Sequence, residues 1–153
     1  MPFSSPTALS LGLALLLTPA APLLAASSDM PAPASGVAEA LSLTDVTWTP
    51  NRRGPDMTGT LPDGSPVEID FSDRGPAVLD EIEAGTRQGA PLALVAGVLP
   101  APIVDQSLIG PDAIFYEIDF DDDDIEIDGR ATDGRRFEAE FTHDGTLIGI
   151  EFD

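Results

Sequence analysis

The side chains with chemistry to offer in this sequence are carboxylates. Asp121, Asp122, Asp123 and Asp124 form an unbroken run, with Asp119 before it and Glu126 and Asp128 after it. Oxygen ligands at this density are what Ca²⁺ requires, so the turn holding Asp121 to Asp124 is a candidate divalent-cation site. The spacing Asp124-x-Glu126-x-Asp128-Gly129 opens like an EF-hand loop. Arg135, however, stands where the bidentate glutamate belongs, and the flanking pattern is strand rather than helix. A second set follows from alternation. Glu117, Asp119, Glu126, Asp128, Glu138, Glu140 and Glu151 recur on one face of strand-like segments, with only Arg130 and Arg136 among them. Like charges opposite one another across strands are destabilising, by up to about 1 kcal/mol per pair. Such a face either meets cations or a basic protein partner, or is a solvated surface kept acidic for solubility where salt screens it.

Other chemistries find little support. His143 is the single histidine, in the turn Thr142-His143-Asp144-Gly145, and it reads as a solvated turn residue rather than a base. One histidine and no cysteine argue against a zinc site, a thiolate nucleophile or a disulfide framework. No Gly-x-Ser-x-Gly elbow or phosphate-binding glycine loop is present. Exposed carboxylates without an apolar pocket do not make an acid–base pair. The expectation is a non-enzymatic binding protein with no cofactor, the alternative being a weak Ca²⁺ or divalent-cation binder. Twenty-seven acids face seven arginines and no lysine, a net charge of −20. That balance argues against nucleic acid or anionic lipid and points to a partner with a basic surface.

The elements that must carry these residues begin after the N-terminus. Residues 1–26 hold no charge, and Leu9 to Leu17 is an apolar run followed by Pro19, Pro22 and Ala25-Ala26-Ser27-Ser28. This reads as a secretory signal peptide cleaved near Ala26, although no basic residue precedes the apolar run, and implies a periplasmic or secreted protein without membrane insertion after cleavage. Residues 27–36 read as a Pro/Ala/Ser linker. Val37 to Leu43 fits two helical turns with Val37, Ala40 and Leu41 on one side and Ser35 as a cap. Strands are expected at Val46 to Thr49, from Met57, at Pro66 to Phe71 and over Ala77 to Glu83, where Asp80 falls on the apolar side. Residues 85–99 combine a linker with the apolar run Pro91 to Leu99, which fits a buried strand or a short helix. Pro102 to Ile109 fits a helix closed by Gly110.

The last four strands permit a register. Tyr116, Ile118 and Phe120, Ile125 and Ile127, Phe137, Ala139 and Phe141, and Ile148, Ile150 and Phe152 should share the buried face. A three-residue loop Thr132 to Gly134, with Gly134 left-handed, pairs Ile127 with Ala139 and Ile125 with Phe141. A two-residue turn at Asp144-Gly145 pairs Phe141 with Ile148 and Ala139 with Ile150. This unit has occurred before. Laid without a gap on Asp128 to Phe152, the stretch Thr58 to Ile82 matches at Gly59/Gly129, Asp63/Asp133, Gly64/Gly134, Glu68/Glu138, Phe71/Phe141, Gly75/Gly145 and Glu81/Glu151. Val78/Ile148 is a conservative match within the same overlay. One supersecondary unit used twice leaves such a pattern. The expected fold is α+β and β-dominated: two helix-plus-antiparallel-meander repeats of about four strands each, at 37–84 and 100–153.

Tyr116-Glu117-Ile118-Asp119-Phe120, the hairpin Asp133-Gly134-Arg135-Arg136-Phe137-Glu138-Ala139 and Asp144-Gly145-Thr146-Leu147-Ile148 resemble a PepSY-type domain. The resemblance covers Pro100 to Asp153, and more weakly Val37 to Glu83. It implies an exported or membrane-proximal module of the kind found in metalloprotease propeptides, a modulator or inhibitor of peptidases, with no catalytic residues. The tandem layout is also similar to that of secreted β-lactamase inhibitor proteins.

Overall fold

The computed structural model describes residues 29–51, 54–75 and 78–153. The expected signal peptide and Ala77, the first residue of an expected strand, lie outside them. Period-two alternation produces the strands β1 Thr44–Thr49, β2 Asp56–Thr60, β3 Pro66–Phe71, β4 Leu79–Ala84, β5 Ala90–Pro91, β6 Ile114–Phe120, β7 Ile125–Arg130, β8 Arg136–Phe141 and β9 Leu147–Phe152. Helix α1 is Ala32–Ala40, a 3₁₀ turn is Leu92–Val95, and α2 is Ala101–Val104. Among the described residues all the strands form one antiparallel sheet ordered β1-β2-β3-β4-β6-β7-β8-β9, with β5 beside the start of β6. The fold is β-dominated. The sheet runs without a break through the β4–β6 pair, where Glu81, Ile82 and Glu83 face Asp119, Ile118 and Glu117.

Strand pairing recurs at a constant displacement along the chain. Met57 faces Ile69 and Gly59 faces Val67, as Ile127 faces Ala139 and Gly129 faces Phe137. The hairpin loops agree too. The Leu61 N–H donates to the Ser65 carbonyl at 2.8 Å and the Ala131 N–H to the Arg135 carbonyl at 2.9 Å, with Gly64 and Gly134 at φ +91° and +90°. The correspondence slips after Gly75. Phe71 pairs with Leu79 but Phe141 pairs with Leu147, so the earlier turn holds two extra residues. Leu79, Ile82 and Glu83 therefore stand where Leu147, Ile150 and Glu151 stand. The ungapped matches Val78/Ile148 and Glu81/Glu151 do not fall on equivalent places.

Bulges account for the remaining departures from strict alternation. In β6 the register shifts between Phe115 and Glu117. Tyr116 is the extra residue, and Phe115 is buried in its stead. The expected two-residue turn at Asp144-Gly145 gives way to a longer loop, in which the Thr142 N–H bonds the Thr146 carbonyl at 2.9 Å. A shift between Glu140 and Phe141 leaves Ile148 unpaired and 53% exposed, while Ala139 still faces Ile150. Asp80 occupies the same place in β4, between the Asp70–Glu81 and Phe71–Leu79 pairs, and is exposed. Its apparent position on the apolar side disappears once the extra residue is counted.

The covering elements start and stop differently from expectation. Helix α1 begins at Ala32, inside the stretch read as linker, with Pro33 in its first turn, where a missing N–H costs nothing. Ser35 does not cap it; its hydroxyl bonds the Pro31 carbonyl from within the first turn. Ala34, Ala38 and Leu41 face the core, whereas Ala40 is exposed. Helix α2 is only four residues long, and beyond it the Gln106 side-chain oxygen accepts the Leu108 N–H at 3.2 Å. Pro91 to Leu99 divides into β5 and the 3₁₀ turn. One continuous core results, with Met57, Ile69, Phe71, Ile82, Phe115, Ile118 and Phe141 from the sheet packed with Leu41, Leu43, Ile103 and Ile109 from the cover.

Candidate functional site

Because the apolar half of each strand is committed to that core, the other half lies on one open face, and there the acids line up. Glu68, Glu83, Glu117, Asp128, Glu138 and Glu151 sit directly opposite one another across β3, β4, β6, β7, β8 and β9. Asp56, Asp70, Glu81, Asp119, Glu126 and Glu140 form a parallel row across β2, β3, β4, β6, β7 and β8. Neighbouring strands are about 4.8 Å apart, so each row is a ladder of like charges at close spacing. Glu117, Asp119, Glu126, Asp128, Glu138, Glu140 and Glu151 all lie in these rows. Alternation in the second half of the chain missed Asp56, Glu68, Asp70, Glu81 and Glu83 as members of the same set. The recurring hairpin held the signal, since Glu68 and Asp70 take in β3 the register places that Glu138 and Glu140 take in β8.

The rows press the carboxyls toward their neutral forms. Partial burial, then the charges of Glu117, Asp119, Asp70 and Glu83, pushes Glu81 up to about 7. Burial and then Glu117, Asp121 and Asp128 raise Asp119. Burial and then Glu138 and Asp119 raise Glu126, and burial and then Asp56 and Asp80 raise Asp70. Glu68 moves up for the same reasons, burial first and Asp70 next. At the β4–β6 junction one carboxylate oxygen from each of Glu81, Glu117 and Asp119 lies within 4.8 Å of the others. Ligands on opposite sides of a Ca²⁺ ion stand about 5 Å apart, so this trio matches the reach of a hard cation.

The run Asp121 to Asp124 is used differently. Asp121, Asp122 and Asp123 are exposed at the β6–β7 tip. Asp122 takes Arg74 at 2.6 Å in an ion pair reaching from the β3–β4 turn, and its carbonyl lies 3.1 Å from His143 Nε2. Asp124 lies beside Glu140 and raises its pKa. Among the described residues the oxygens that converge are those of Glu81, Glu117 and Asp119, not those of this run. His143 is an exposed turn residue holding the tip.

Arg130 and Arg136 face each other at the end of the acidic rows away from the β6–β7 tip. Arg136 and Tyr116, whose ring lies 5.0 Å beneath the guanidinium, line an open cleft of about 660 Å³ together with Arg87, Glu68, Glu83 and Glu117. The bulge that turns Tyr116 outward builds this cleft.

No protein-family model matches the chain, and no curated protein matches it. Among solved structures it is similar to a protein of Bacteroides thetaiotaomicron presumed to be periplasmic and calcium-regulated, at 16% identity and a TM-score of 0.45, over 80% of this chain and 91% of that one. It is also similar to a presumed periplasmic protein of the DUF2874 family from Bacteroides vulgatus, at 18% identity and a TM-score of 0.46, over 80% and 90%.

Proposed function

We propose that the protein is an exported, non-enzymatic binding protein whose acidic sheet face docks a basic protein surface. The observation that carries this reading is the pair of uninterrupted carboxylate rows, six residues each, running across both halves of the sheet. A fold that keeps a dozen acids on neighbouring strands, several of them held above their ordinary range, gains free energy when a cationic surface neutralises them. Export rests on the uncharged, apolar N-terminal 26 residues. The matched pairing of β2–β3 with β7–β8 supports two copies of a PepSY-like unit fused edge to edge. Modulation of a peptidase is the finer form of the proposal and rests on that resemblance alone.

The test uses immobilised protein and an extracytoplasmic extract, with the retained proteins identified. A basic protein recovered in stoichiometric amount, lost on Glu138→Gln/Glu140→Gln and kept on Asp105→Asn, supports the reading. Retention indifferent to those glutamates rejects it. A second reading, a divalent-cation site, is favoured by the convergence of Glu81, Glu117 and Asp119.

A further inference from the structure

We propose that strand β9 is a docking edge for an extended segment of the partner in which aliphatic and basic residues alternate. The inference deepens the basic-partner reading and rests on it. Its starting point is the equivalence of β4 and β9. Ile82 and Glu83 stand to Ile69 and Glu68 as Ile150 and Glu151 stand to Ala139 and Glu138. The outer side of β4 is taken by β6, which sets Ile118 opposite Ile82 and Glu117 opposite Glu83. Among the described residues nothing pairs with the outer side of β9.

The edge has what a strand needs. Asp153 donates its N–H inward to the Arg136 carbonyl at 3.1 Å. By the alternation of an antiparallel ladder, the N–H and C=O of Ile150 and Phe152 therefore point away from β8. Ile150 and Phe152 pack on the core but are only partly covered, whereas Ile82 and Ala84, their counterparts beside β6, are buried. The other sheet edge, β1, is blunted by a bulge with Asp45 at φ +53°. Strand β9 has its own bulge at Ile148, but from Gly149 to Phe152 it pairs regularly and carries no proline; its one charge is Glu151, and the Arg135 guanidinium lies 4.0 Å from the centre of the Phe152 ring.

Charge selects the occupant. A strand added in the β6 register places aliphatic side chains beside Ile150 and Phe152 on the core side. Its alternate residues fall beside Gly149 and Glu151, where both acidic rows end, and a cation there meets Glu151 with Glu138 and Glu140 behind it. A second copy would instead bring another chain of net charge −20 against the same acids. Strand addition of this kind draws affinity from main-chain hydrogen bonds and specificity from alternate side chains.

The test titrates the full chain with a labelled peptide of alternating valine and arginine, and with two backbone-methylated forms. The valine opposite Ile150 holds the place of Ile118 and turns its N–H toward β9. N-methylation of the valines should therefore weaken binding about tenfold or more, the effect of losing two interchain hydrogen bonds. N-methylation of the arginines should change it less than about twofold, because their N–H groups face outward. Slowed amide exchange at Ile150 and Phe152 accompanies binding. Equal weakening by the two methylation patterns places the peptide on the sheet face and overturns the edge while sparing the basic-partner reading. A chain that dimerises without peptide and protects the same amides also overturns it. A valine–glutamate peptide that binds as tightly overturns the charge selection together with the reading beneath it.

Discussion

Glu81→Gln should stabilise the protein, and only above the range where an ordinary glutamate titrates. The carboxyl moves from 4.5 when the chain is unfolded to about 7 in the fold. Between those values the folded state holds a proton that the unfolded state has released, so stability falls as pH rises through this window and is recovered below it. Each pH unit of displacement is worth about 1.36 kcal/mol, which gives about 3 kcal/mol without screening. Glu81 is only half-buried, and solvent reduces the expected figure to about 1–2 kcal/mol. Removing the charge should therefore raise the midpoint of thermal unfolding at pH 7.5 by about 3–8 °C in a chain of this size. At pH 5, where folded Glu81 is already protonated, the two proteins should differ little. Thermal unfolding of both at several values from about pH 5 to about pH 7.5 provides the measurement. A variant no more stable than the parent at pH 7.5, or a gap that fails to close toward pH 5, would refute the claim that the junction carboxyls press on one another.

Four further outcomes are expected. If Glu81, Glu117 and Asp119 take a cation, millimolar Ca²⁺ raises thermal stability beyond NaCl of matched ionic strength, by about 2.7 kcal/mol at a hundredfold excess over Kd. That increment disappears in Glu117→Gln/Asp119→Asn and survives Asp121→Asn/Asp123→Asn, whereas an equal rise in every salt rejects the site. NaCl alone should stabilise the parent chain at pH 7.5 by screening the rows, and denaturant titration at low and high salt reads this directly. Gly129→Ala should cost about 1–3 kcal/mol by urea unfolding, because the added carbon would lie 2.4 Å from the Ile114 carbonyl oxygen and 2.6 Å from the Phe137 ring. Phe141→Ala should cost about 3–5 kcal/mol in the same assay, since the ring is fully buried beneath the sheet.

The strands of the second half, the loop from Thr132 to Gly134 and the partners of Ile127 and Ala139 were legible because period-two alternation and turn glycines are local signals. What alternation cannot register is a single extra residue. Tyr116, Asp80 and Ile148 are such residues, and each displaced a neighbour in any reading that assumed strict pleating. A bulge leaves no mark in composition; it becomes visible only when pairing on both sides of it is known. The junction was illegible for a different reason. That β4 lies beside β6 is a long-range choice between two edges, and no local pattern distinguishes one continuous sheet from two.

That choice assembles the candidate site. Glu117 and Asp119 belong to one half of the chain and Glu81 to the other, and within either half alone no third carboxylate of this trio exists. Pairing β4 with β6 satisfies two open edges and buries Ile82 against Ile118, but it also sets Glu81 and Glu83 against Asp119 and Glu117. The hydrogen bonds and apolar contacts of that pair offset the repulsion. The junction is therefore the place where the sheet's stability and its charge are most directly opposed. A bound cation would relieve the repulsion there, which predicts that Ca²⁺ should shrink the stabilising effect of Glu81→Gln at pH 7.5, an interaction that a double-mutant comparison with Glu117→Gln, with and without the ion, would measure.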